Sequence, residues 1–146
     1  LALCCDLVVA SENARFSEIF AKRGLSVDFG GSFLLPRIVG LQKAKELVLL
    51  AEVLSAAEAD RMGLINYVVP HDQLDDKALE LAQKAASGPP RALAMSKAML
   101  NKSFANSLQD ALDQEGTSQT VNFTTKDVSE AMKAFQEKRP PRFSGW

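Results

Sequence analysis

The patterning of this sequence changes at Pro70, and that change restricts its fold more than any other feature. Before Pro70 the apolar runs are short and are cut by Gly24, Gly30-Gly31, Gly40 and Gly63. Beyond it, apolar residues recur at helical spacing almost without a break. The composite is a few short strands followed by a helical region rich in Ala, Leu and Lys, which is an α/β arrangement. No internal repeat or low-complexity tract interrupts it.

Local signals place the elements. Residues 7–10 are apolar, partly β-branched and closed by Ser11-Glu12-Asn13, which predicts a buried strand, and residues 15–17 predict a second. Helices are expected over 32–39 and 41–51, broken near Pro36 and Gly40. Ser55 followed by Glu58 is a capping box, opening a helix that ends at Gly63. Residues 64–69 read as a strand stopped by Pro70. Helices then follow over 74–87, 91–101, 107–120 and 127–138. Pro89 or Pro90 opens the second, and Asp127 with Glu130 caps the last. The tail from Arg139 to Phe143 contains two prolines and cannot be helical throughout. Residues 1–10 are apolar from the first position, with neither an N-cap nor a basic leader. The start therefore reads as a cut through a buried element, and the chain as the C-terminal part of a longer protein.

Composition narrows the classes. With 146 residues the chain can bury one sizeable core. Its 17 Lys and Arg against 18 Asp and Glu give no field to draw in nucleic acid or an anionic membrane. The longest apolar runs, 7–10 and 47–51, fall far short of the roughly 20 residues that span a bilayer. Cys4 and Cys5 are adjacent, which suits neither an ordinary disulfide nor a zinc site, so reduced buried thiols in a cytoplasmic protein are expected.

Few residues offer chemistry. His71 is the only histidine and follows Pro70, the setting of a surface side chain or a cap. No Ser-His-Asp, Cys-His or metal-ligand spacing is present, and no phosphate-binding glycine motif. The stretch from Gly24 to Ser32 stands out, because Asp28 lies there among apolar residues and glycines just before a helix. Burial in such surroundings turns a carboxyl into a useful acid or base. Asp is also a ready N-cap, and the residues alone leave both readings open.

Three stretches carry a resemblance: Cys5-Asp6-Leu7-Val8-Val9-Ala10-Ser11; Gly24-Leu25 through Gly30-Gly31 to Leu35-Pro36-Arg37; and Phe135-Gln136-Glu137-Lys138-Arg139-Pro140-Pro141-Arg142-Phe143. With Ala44-Lys45-Glu46-Leu47 and Gly63-Leu64-Ile65-Asn66 between them, the chain resembles the crotonase (enoyl-CoA hydratase/isomerase) superfamily. The resemblance implies the C-terminal part of a ββα spiral core over residues 1–70, then a helical trimerisation region over 71–146. It implies an acyl-CoA thioester enzyme acting through an enolate, with coenzyme A as part of the substrate and no separate cofactor. The oxyanion hole of such enzymes would match positions ahead of Leu1, so a chain starting there is expected to be inactive alone. Phe20 stands where related hydratases carry a glutamate, and Glu18, two residues away, is expected to be a surface carboxylate. Asp28 matches the catalytic acid of some family isomerases, including ring-epoxide isomerases, which favours isomerase chemistry. Phe20 would then be a dry wall of a substrate pocket that also includes Leu25, Phe29 and Gly30. Phe135 and Lys138 match a pair that holds the adenine and phosphate of CoA. A trimer or hexamer of this chain is the expected partner arrangement. The competing class is a non-catalytic CoA-binding or assembly module of the same fold.

Overall fold

The first regular strand, β1 (Val9–Ser11), lies parallel to β4 (Tyr67–Val69), with Ala10 opposite Val68. A second pair, β2 (Arg15–Phe16) and β3 (Leu54–Ser55), is antiparallel. Parallel strands need a long crossover. Here it contains α1 (Gly31–Val39), α2 (Leu41–Leu50), β3 and α3 (Ala56–Arg61). The computed structural model describes residues 1–146, and they form two compact units, Leu1–Glu80 and Leu81–Trp146. The division falls inside α4 (Leu74–Ala86), beyond Pro70, where the sequence pattern changes. No helix is long and apolar enough to cross a membrane.

In the first unit Ala10, Leu35, Ala44, Leu47, Ala56, Ala59, Leu64 and Ile65 form one buried cluster. Half of these are alanines, so the elements approach closely around Leu35, which is only 1% exposed. Gly40 separates α1 from α2 at φ 79° and ψ 157°, a conformation essentially reserved for glycine. Ser55 opens α3 as expected: its Oγ accepts from the Glu58 amide, and its own amide donates to Glu58 Oε2. Those bonds from Ser55 hold the Glu58 carboxyl below its ordinary range.

The start of the chain departs from expectation. Residues 2–4 form a single 3-10 turn and the strand begins only at Val9. The Val8 amide is taken instead by the side-chain oxygen of Asn66, at 2.8 Å. Of residues 1–10 only Ala10 is buried, and Leu1 is 86% exposed. Cys4 and Cys5 are free thiols but exposed, because the turn leaves both on the surface. Residues 64–66 are likewise not strand. Leu64 and Ile65 nevertheless fill the core ahead of β4.

The second unit holds α5 (Pro90–Lys102), α6 (Leu108–Phe123) and α7 (Lys126–Gln136). Pro90 takes the first-turn position that tolerates its missing amide. Ser107 and Asp110 make a second capping box. Asp127 is not the cap of α7, since Thr125 occupies that position. Asp127 is buried and accepts from the Ser144 amide at 2.7 Å and the Gly145 amide at 3.0 Å. Glu130 grips Arg139 through both carboxylate oxygens, at 2.6 and 3.0 Å, and accepts the Arg142 amide at 2.9 Å. Arg91 donates to the Gly145 carbonyl and lies over the Trp146 ring. The non-helical tail is thus strapped down by charge-assisted hydrogen bonds.

Candidate functional site

A cavity of about 250 Å³ opens in the first unit. Its apolar walls are Phe16, Phe20, Leu34, Leu35, Leu47, Leu54 and Leu64, with residues 1–3 at one side. Two carboxylates, Glu18 and Asp28, line the same space.

Asp28 is placed by a tight turn. Its carbonyl accepts the Gly31 amide at 2.8 Å, and both central residues have positive φ, Phe29 at 53° and Gly30 at 80°. Gly30 suits that conformation. A bulky Phe does not, so the turn holds backbone strain at the cavity mouth. Gly30 also caps α1, its carbonyl accepting the amides of Phe33 and Leu34. A Cβ on Gly31 would lie 2.6 Å from Val27 Cγ2, so any side chain there would force Val27 to shift. Asp28 is therefore presented at the cavity by the residues preceding the helix and is not itself the helix cap. It is exposed, not buried as the apolar surroundings in the sequence suggest.

The other candidates divide. Phe20 and Phe29 line the cavity with Asp28, Phe29 being 71% exposed at its rim. Gly30 belongs to the turn without lining the cavity, and Leu25 stands outside it, 63% exposed. In the second unit Phe135 is 83% exposed near the end of α7. Lys138 follows two residues beyond that helix in a left-handed conformation, φ 54°, its amide donating to the Phe135 carbonyl. His71 is exposed, with Nδ1 3.2 Å from Ser11 Oγ. No group of side chains could hold a metal ion.

Glu18 is where the structure corrects the sequence. It is half-buried in the cavity wall between Phe16 and Phe20, which both line the same space. Burial, then the charge of Asp28, pushes its carboxyl above the ordinary 4.5. The signal was the alternation Phe16, Glu18, Phe20. It holds although only Arg15–Phe16 is strand and Ile19–Arg23 is a 3-10 helix.

Comparison with known proteins fits this geometry. A family model described as enoyl-CoA hydratase/isomerase matches residues 1–145. The chain is 39% identical over 145 residues to the 1,2-epoxyphenylacetyl-CoA isomerase of Escherichia coli, a match covering 99% of this chain and 55% of that protein. It is 39% identical over 139 residues to the short-chain-enoyl-CoA hydratase of Clostridium acetobutylicum, covering 95% of this chain and 53% of the relative. A crystal structure of an enoyl-CoA hydratase/isomerase from Cupriavidus metallidurans superposes with a TM-score of 0.91 at 41% identity, over 99% of this chain and 55% of that one. The chain thus spans about half the length of the curated relatives it matches.

Proposed function

The chain belongs to the enoyl-CoA hydratase/isomerase (crotonase) family, and from that premise we propose that its protein isomerises an enoyl-CoA thioester through an enolate, with Asp28 moving the proton. The observation that carries this reading is the Asp28–Gly31 turn, which presents a carboxylate to an otherwise apolar cavity. Asp28 takes a proton from the α carbon of a 3-enoyl thioester, and the C–H electron pair passes into the enolate. Return of a proton to the γ carbon leaves the double bond between the α and β carbons. Water addition is the less favoured chemistry, because Phe20 puts an aromatic wall where related hydratases carry a glutamate and keeps water away from the enolate.

The remaining roles follow from the same family. Phe135 and Lys138 serve the adenine and phosphate of coenzyme A, a role their exposure permits. Copies of the chain assemble as a trimer or hexamer in the cytoplasm, covering apolar side chains such as Leu100, Leu108 and Phe123 that the second unit leaves exposed.

Asp28→Asn keeps the size of the side chain and removes the proton acceptor. In the protein carrying this chain, 3-enoyl-CoA isomerisation should fall about 10²–10⁴-fold, the usual worth of a general base, with KM little changed. Unchanged turnover would overturn the assignment. Thioester binding with no turnover in either protein would favour the non-catalytic module.

A further inference from the structure

Asp28 alone leaves the second carboxylate of the cavity without a task. Glu18 stands in the wall between two phenylalanines, and its Oε2 lies 3.7 Å from where a Cβ on Gly31 would sit. It therefore reaches the glycine that closes the turn carrying Asp28. We infer that Glu18 is the proton donor of a two-carboxylate relay, delivering to the γ carbon a proton other than the one Asp28 removes from the α carbon. This rests on the isomerase reading above and adds a second catalytic residue to it.

The electrostatics fit a donor. Burial is the larger cause raising the Glu18 carboxyl, and the charge of Asp28, which lines the same cavity, is the second. No hydrogen bond to Glu18 contributes. Both causes favour the protonated form of Glu18, the form a donor needs. The cycle balances. It begins with ionised Asp28 and protonated Glu18. Asp28 gains the α proton, Glu18 protonates the γ carbon, and a proton then passes from Asp28 to Glu18, restoring both.

The test uses 3-enoyl-CoA deuterated at the α carbon, in ordinary water. With two carboxylates, the γ position of the product acquires mostly protium, because Glu18 exchanges its proton with solvent between turnovers. Glu18→Gln should slow isomerisation by about 10²-fold or more. In its residual turnover the deuterium should appear at the γ carbon, since Asp28 must then deliver what it took. Glu18→Asp should restore part of the rate and the wild-type labelling. Equal rate and labelling in Glu18→Gln would overturn the relay while leaving Asp28 in place. α-Proton exchange surviving Asp28→Asn would instead overturn the reading beneath it. A carboxyl NMR titration of Glu18 needs no turnover. The relay expects a Glu18 midpoint above the ordinary glutamate value that drops in Asp28→Asn. An ordinary midpoint indifferent to Asp28 would also overturn the relay.

Discussion

The unit Leu1–Glu80 gathers eight buried apolar side chains into one cluster, whereas Leu81–Trp146 buries a single apolar residue, Ala134, beside the polar Thr125 and Asp127. One is held by excluded water, the other by a tail tied to carboxylates. The difference matters for function. An apolar core that pins α1 and β3 fixes the walls of a cavity, and the carboxylates of Glu18 and Asp28 line that cavity. A strapped tail orders exposed residues like Phe135 and Lys138 without enclosing them.

The largest effect should come from emptying the apolar core. Leu35→Ala removes the most buried large side chain, where neighbouring alanines leave little that can collapse into the gap. A loss of about 2–5 kcal/mol is expected, read by denaturant unfolding of the whole chain. Amides of β1, β3 and β4 should lose hydrogen-exchange protection, and those of residues 139–146 should not. Equal loss in both places would mean that the units do not differ in the way described.

Asp127→Ala tests the other unit. It strands the Ser144 and Gly145 amides that the carboxylate serves. The expected loss is smaller, about 1–3 kcal/mol, because those amides lie close enough to the surface to recover water. Protection should now fall over residues 139–146 and stay intact in β1. A variant that leaves the tail as protected as before would show that Glu130 and Arg91 suffice without Asp127.

What could be read in advance follows the same division. Signals acting over three or four residues were legible: the Ser55–Glu58 box, the Gly40 break and the helix start at Pro90. Each depends on backbone groups within one turn of the residue that announces it. Asp127 was misread as a cap because its real partners lie 17 and 18 residues on, in a segment without periodicity. The strand predicted from residue 7 shortened because Asn66, 58 residues away, takes the Val8 amide. Asp28 stood out by its glycines and the turn they permit. Glu18 was marked only by its alternation with Phe16 and Phe20, since its burial depends on helices that begin at Gly31 and on β3, far along the chain.

The smallest effect concerns acid, and its sign should be opposite in the two units. Glu130 is lowered from 4.5 to about 2, first by its hydrogen bonds with Arg139 and then by the Arg142 amide. A carboxyl lowered by folding stabilises the native state above the unfolded value, and that stabilisation drains as pH falls from 4.5 toward 2. Glu18 is raised instead, so its contribution is complete below 4.5 and is lost as pH rises through its folded midpoint. Acid should therefore loosen the tail while relieving the cavity wall of a poorly solvated charge. Hydrogen-exchange protection factors over residues 139–146 should drop in that acidic window, and Glu130→Gln should abolish the dependence. Glu18→Gln should raise the melting temperature slightly above neutral pH, with the gain vanishing in acid. If acid weakened both variants and the parent alike, neither carboxylate would be the source. The contrast between a dry wall and a charged strap would then not extend to their titration.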